Sequence, residues 1–143
     1  MRFMVLVKAS KDSEAGVLPN EKELVEMGRF NEELIKAGVM LAGEGLHSSA
    51  KGRRIKFNPG GKPTVTDGPF AETKELLAGF WIVQMKSLDE CIAWFKRAPF
   101  KQEEIEIRQV FESADSEPVI KTDAGRALLE AEDEFRKRTG QGA

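Results

Sequence analysis

The chain has one histidine, His47, and histidine is the only side chain whose unperturbed pKa lies near neutrality. It follows a glycine-rich strand end, Gly43-Glu44-Gly45-Leu46, where backbone can approach a ligand closely. Asp67 precedes the Gly68-Pro69 break, and a hairpin between the two could return it toward His47. If they meet, Asp67 orients one ring nitrogen and leaves the other as a general base, making His47 and Asp67 a catalytic pair. The plain alternative is a surface histidine near an unrelated turn aspartate. Past the break, Glu72, Thr73, Lys74 and Glu75 supply an acceptor, a hydroxyl and a cation in one short loop. Such a loop can line a cavity mouth and orient an anionic or carbonyl-bearing ligand, although a solvated rim or a dimer contact fits the same residues. Glu44 stands in an otherwise apolar strand, either at solvent or inside a pocket, and counts with Glu72 and Lys74 as a substrate-binding candidate. Trp81 is the fourth such candidate, with core or dimer packing as its alternative.

Other chemistry is excluded more simply. With one cysteine, Cys91, and one histidine, neither an internal disulfide nor a multi-histidine or cysteine-rich metal site fits within one chain. No metal or cofactor is implied. Gly43-x-Gly45 has no helix opening after it, so it is not a dinucleotide loop. Lys51, Arg53, Arg54 and Lys56 are basic, but they alternate across a strand, and a solvated hairpin is their default reading. The net charge of −2 offers no global attraction to nucleic acid. The longest apolar run, Phe3–Val7, is too short for a membrane span or a signal-peptide core, so a cytoplasmic protein without a membrane partner is expected.

The elements that must position these residues follow from periodicity. Phe3–Val7 reads as a strand buried on both faces. After a polar loop over Lys11–Pro19, Asn20 and Glu23 open a helix with a variant of the capping box. Its stripe of Leu24, Met27, Gly28, Phe30, Leu34 and Ile35 faces the core, and Gly38 ends it. Val39–Leu46 is a strand. Arg53, Ile55 and Phe57 alternate with Arg54 and Lys56, turn at Asn58-Pro59-Gly60-Gly61 and return over Pro63–Thr66 as a hairpin. Leu77–Met85 is the strongest strand. Ser87 and Glu90 cap a helix with Leu88, Cys91, Ile92 and Phe95 on one face, where Cys91 reads as buried and inert. Ala98-Pro99 stops that helix, and Glu104–Phe111 is the last strand.

Strand, helix, strand, hairpin, strand, helix, strand makes two split β-α-β units around one sheet, a ferredoxin-like α+β fold over residues 1–112. Residues 113–143 add a linker and a C-terminal helix, with Ala124, Leu128, Ala131 and Phe135 on one face. The chain from residue 112 onward carries eight acids and five bases. Two helices cover only one face of the sheet, yet Phe3–Val7 and Phe80–Val83 are apolar on both. Either the tail helix or a second copy packed sheet to sheet must cover the other face, and the second option is a homodimer.

The segment Thr64-Val65-Thr66-Asp67-Gly68-Pro69-Phe70-Ala71-Glu72-Thr73-Lys74-Glu75 resembles the signature of the DGPF-domain family within the YCII-related group. Phe30-Asn31-Glu32-Glu33-Leu34, Ala42-Gly43-Glu44-Gly45-Leu46 and Ala78-Gly79-Phe80-Trp81 resemble it too. The resemblance spans residues 1–112 and implies a dimeric α/β-barrel, with ferredoxin-like subunits joined through their sheets. YCII-type relatives carry a helix histidine and an aspartate before a proline. The matching positions here, counted back from Gly38 and forward to Pro99, are Met27 and Ala98, so that pair does not carry over. The family's gene neighbourhoods imply an extracytoplasmic-function sigma factor as a partner.

Two functions follow as expectations. One is a cofactor-independent isomerase- or lyase-like enzyme using His47 and Asp67 on a small-molecule ligand. The other is a non-catalytic dimeric ligand-binding or regulatory module. An all-apolar cavity favours the second, and carboxylates converging with His47 favour the first.

Overall fold

A computed structural model of the chain describes residues 1–141. Its elements are β1 (Arg2–Lys8), α1 (Lys11–Glu14), α2 (Glu21–Lys36), β2 (Met40–Gly45), β3 (Arg53–Lys56), β4 (Thr64–Asp67), β5 (Leu77–Gln84), α3 (Leu88–Phe95), β6 (Ile105–Gln109), α4 (Ser113–Ser116) and α5 (Asp123–Arg138). One four-stranded sheet has the order β2-β5-β1-β6, with every neighbouring pair antiparallel. Placing β5 between β1 and β2, and β1 between β5 and β6, is the ferredoxin-like α+β arrangement that the element order requires. β3 and β4 form a separate two-stranded hairpin.

Strand alternation divides the sheet. Phe3 and Val5 on β1 stand opposite Val83 and Trp81 on β5, and all four are buried on the helix side with Met85, Cys91 and Phe95. The alternate residues Met4, Leu6, Phe80 and Ile82 point to the other face and stay half-buried. α2 contributes Phe30 and Leu34 to the core. Complete burial of a leucine such as Leu34 stabilises by roughly 2 kcal/mol. The stripe is narrower than its periodicity predicts: Met27 is half-buried, while Leu24 and Ile35 at its margins are exposed. On α3, Cys91 and Phe95 are buried, whereas Leu88 and Ile92 lie at the surface.

The helix ends behave as their residues dictate. The Asn20 side chain accepts from the Glu23 N–H at 2.9 Å, and the Glu23 carboxylate accepts from the Asn20 N–H at 3.2 Å, which completes a capping box. Ser87 accepts from the Glu90 N–H at 3.1 Å, but the Glu90 carboxylate takes the Lys86 N–H instead of that of Ser87. Gly38 ends α2 at φ +72°, a left-handed conformation that glycine adopts without strain.

Two segments depart from the sequence expectation. The loop before α2 contains the one-turn helix α1, and the linker contains α4 and a 3-10 turn over Glu117–Val119. The linker is tied to the sheet by Arg2, which is 5% exposed and forked onto Glu112, with Nε–Oε1 at 2.8 Å and Nη2–Oε2 at 3.1 Å. The tail helix does not seal the sheet's second face with its apolar stripe, since Ala124, Leu128, Ala131 and Phe135 all face solvent. Its other side holds the linker, where the Ser113 hydroxyl donates to Asp133.

Candidate functional site

A cleft of about 290 Å³ opens where α2 crosses β2 and β5. Its walls include Met27 and Asn31 of α2, Gly43 and Glu44 of β2, Trp81 of β5, and Phe100. Trp81 organises this region. Its indole packs against Phe95 and Phe100, with ring centroids 5.2 and 6.1 Å away, and Phe30 meets it edge-on at 6.2 Å. Its Nε1–H donates to Asn31 Oδ1 at 2.9 Å, which satisfies the polar end of a buried indole. The ring lies directly over Gly43: a Cβ there would sit 2.8 Å from Trp81 Cδ1 and 2.6 Å from Met40 Cε. The close approach expected at this glycine-rich strand end is therefore made by the protein's own indole. A Cβ on Gly79 would likewise come within 2.8 Å of the Glu44 carbonyl oxygen. The two glycines keep the strand surface flat where a side chain and a neighbouring strand press on it.

The residues singled out from the sequence fall into three places. Glu44 and Trp81 share the α2–β5 cleft. Lys74 belongs to a different, larger surface cleft of about 560 Å³ with Lys8, Lys11, Asp12, Glu103 and Glu104, where opposite charges are interspersed. Asp67 and Glu72 are held by the hairpin: Asp67 accepts from Arg53 Nε at 2.9 Å, and Glu72 lies 3.6 Å from Arg54 Nη1. Arg53 and Asp67 are direct cross-strand partners, so strand register itself delivers the guanidinium to the carboxylate. His47 is exposed just after β2. Among the described residues it makes no hydrogen bond to Asp67, and neither residue lines the α2–β5 cleft.

The signature loop is anchored by residues that the sequence did not single out. Ser49 donates to the Glu14 carboxylate through both its N–H, at 3.0 Å, and its hydroxyl. The same hydroxyl accepts from the Phe70 N–H at 3.0 Å. Gly68 donates to the Gly52 carbonyl at 3.1 Å, and its peptide bond to Pro69 is cis. A Cβ on Gly68 would stand 1.7 Å from the Ser49 carbonyl oxygen, so only glycine fits. The Phe70 ring carries the Arg54 guanidinium 3.8 Å above its centroid. Asp67-Gly68-Pro69-Phe70 thus acts as a joint between the hairpin, the Ser49 turn and α1. A pair of serines at Ser48-Ser49 was the one local hint, and nothing in the spacing pointed to Glu14.

Electrostatics add little to the cleft itself. Burial, with a smaller effect from the neighbouring Glu90, pushes the Cys91 thiol up to about 11, so the buried sulfur is protonated and unreactive. The hydrogen bond from Arg108, with help from Lys8, holds the half-buried Glu106 carboxyl below its ordinary range. The Ser113 hydroxyl does the same for Asp133, with Arg136 adding to it. Among the described residues no three His, Cys, Asp or Glu side chains gather as a metal site would need, and no helix is long and apolar enough to cross a membrane. Met27 lines the cleft, so a thioether stands where the YCII-type resemblance would place an imidazole.

The model of the YCII-related domain matches residues 1–114. An uncharacterized protein of Rhizobium meliloti (strain 1021) is 56% identical over 32 residues, a match spanning 22% of this chain and 26% of that relative. Among solved structures the chain is similar to the 5-chloro-2-hydroxyhydroquinone dehydrochlorinase of Burkholderia phenoliruptrix AC1100, determined in complex with 2,5-dihydroxybenzoquinone. Identity there is 14% and the TM-score 0.42, over 78% of this chain and 95% of that one.

Proposed function

The chain belongs to the YCII-related domain family, and from that premise we propose that it is a homodimeric module binding a small, mainly apolar organic molecule in the α2–β5 cleft. The observation that carries this reading is the chemistry of the cleft walls. Met27, Trp81 and Phe100 supply apolar surface, while Asn31 and Glu44 supply a few polar atoms. Small-molecule sites have this composition, and about 290 Å³ lies at the small end of their usual range. The Asn31 amide still has its N–H groups to offer after its oxygen accepts from Trp81. Glu44, at the mouth, selects for a ligand that presents a donor or a positive charge. The half-buried apolar residues Met4, Leu6, Phe80 and Ile82 support pairing of two copies through the sheet's second face. As a regulatory module the dimer would report occupancy of the cleft to a protein partner, and the family resemblance supplies a cytoplasmic sigma factor for that role.

The test uses Trp81 as reporter in a Trp94→Phe background, with 1-aminonaphthalene, an uncharged aromatic amine, as the probe. Binding should quench Trp81 emission, and Met27→Phe or Asn31→Leu should weaken it about tenfold. Equal binding by all three proteins would overturn the site. A second reading, proton transfer by His47 with Asp67 as its orienter, is favoured by the position of His47 just beyond Glu44 at the same end of β2. It requires Asp67 to exchange Arg53 for His47 when substrate arrives. Titration of the His47 ring proton by NMR in the parent and in Asp67→Asn decides it: superimposable curves remove the pair, and a displaced curve supports it.

A further inference from the structure

In the α2–β5 cleft one hydrogen-bonding group is fixed in direction and has no partner. An indole N–H only donates, so the Asn31 atom 2.9 Å from Trp81 Nε1 is the amide oxygen, and the amide nitrogen is turned the other way. Among the described residues nothing accepts from that nitrogen, and no buried side-chain nitrogen or oxygen lacks a partner, so the group is open to solvent at the cleft wall. Satisfying the indole requires an acceptor only, which an aspartate or a serine also supplies. Asparagine is a weaker helix former than the Glu and Leu around it, and what its amide adds at this point of α2 is a pair of N–H donors.

The adjoining strand surface is flat. Gly43, Gly45 and Gly79 line the cleft, and two of them are already covered: Gly43 by Trp81, and Gly79 by the Glu44 carbonyl. Gly45 differs. It is the next same-side position of β2 after Gly43, about 6.5 Å along the strand, and a Cβ added there meets no atom within 4 Å. Open room therefore lies beside the indole. Glu44 is the one ionisable side chain among the described residues that line the cleft. Its negative charge opposes an anionic ligand, so an uncharged acceptor suits the Asn31 donors better than a carboxylate does.

We infer that Asn31 is the specificity-determining residue of the cleft, held by Trp81 so that its amide donates to the carbonyl oxygen of a flat, uncharged ketone or amide resting over Gly45. Trp81 is the positioning residue, since its N–H fixes which end of the amide meets the ligand. The inference rests on the ligand-binding reading of the same cleft and adds the chemical class that the cleft selects.

The experiment uses 1-indanone and indane, which share one ring frame and differ in the carbonyl. Both are titrated at about pH 8 into the parent, Asn31→Asp and Gly45→Leu, followed by protein NMR. At that pH the introduced carboxyl is ionised; it still accepts from Trp81 and offers no donor. The ratio of indanone to indane affinity should fall at least about fivefold from the parent to Asn31→Asp, the worth of one hydrogen bond. In the parent itself, the Asn31 side-chain amide signals should move with indanone and stay in place with indane. Gly45→Leu should weaken both compounds about tenfold by filling the room over the strand. An unchanged affinity ratio in Asn31→Asp, or amide signals that ignore bound indanone, overturns Asn31 as the selector and leaves the cleft as a binding site. Failure of both compounds to bind the parent, or Gly45→Leu binding both as tightly as the parent, overturns the binding site and the inference together.

Discussion

The sheet with α2 and α3 differs from the hairpin and α5 in one physical respect: whether an apolar residue finds its counterpart in the same chain. Phe3, Val5, Val83 and Trp81 meet Phe30, Leu34 and Phe95 across the helix-side layer, and the cluster is closed. Ile55, Phe57, Val65, Leu128 and Phe135 have the same chemistry and stay at the surface. Residue type therefore does not decide burial here. What decides it is whether the topology folds another element over the face concerned, and the chain provides α2 and α3 for one side of one sheet only. The cleft sits within the closed region, where packing around Trp81 holds its walls in place, whereas the outlying faces lie open to solvent.

Four experiments sharpen or break this contrast. The largest effect belongs to the closed region: Leu34→Ala should cost about 3 kcal/mol in denaturant unfolding, through lost transfer energy and a residual cavity. A loss comparable to that of a surface substitution would mean that the core is not closed around α2. Next, Gly68→Ala forces a methyl against the Ser49 carbonyl, so the joint must open at a cost of about 2 kcal/mol. Its specific signature is faster amide exchange at Phe70, whose N–H is bonded to Ser49; unaltered protection there would contradict the anchoring role.

Cys91 supplies a pH-dependent test of the same core. Its folded-state pKa of about 11 exceeds that of an unfolded thiol, about 8.5. The folded state therefore keeps its proton over a range in which the unfolded state loses it, and this contribution to stability is present below that range and declines as pH rises through it. Replacing Cys91 by Ala should flatten the fall of unfolding free energy between about pH 8.5 and 11, and an equally steep fall in the variant would place the thiol in contact with water. The smallest effect is expected in the outlying region: Leu128→Ser should change the stability of the dilute monomer by less than about 0.5 kcal/mol. A larger loss would show that α5 is already packed within its own chain.

Much of the architecture could be read from periodicity and caps. The continuous apolar runs in Phe3–Val7 and Leu77–Met85, the Asn20 and Ser87 caps and the order of elements lead to the ferredoxin-like sheet, because these features depend on residues close together in the chain. The margins of the helices were harder. Leu24, Ile35, Leu88 and Ile92 carry the right spacing but lie beyond the reach of the sheet beneath them. For the candidate site, Trp81 and Glu44 were identified from their strands and do share the cleft, while Asn31 and Phe100 were not, since neither belongs to a local pattern that advertises a ligand. Asp67 could be picked out from the sequence as a polar side chain at the Gly68-Pro69 break, but its engagement by Arg53 could not, because it depends on the register of β3 with β4.

The sequence by itself determined the element order, the helix caps, the two-faced apolar strands and the absence of the residues that a disulfide or a multi-histidine metal site would need. All of these are properties of residue type and short-range spacing. Only the tertiary structure decided that Trp81 lies over Gly43 and bonds Asn31, that Ser49 ties Glu14 to Phe70, and that the stripe of α5 faces outward. Each of these joins segments far apart in the chain. Their proximity is set by how strands pair and layers pack, and no local pattern encodes that distance.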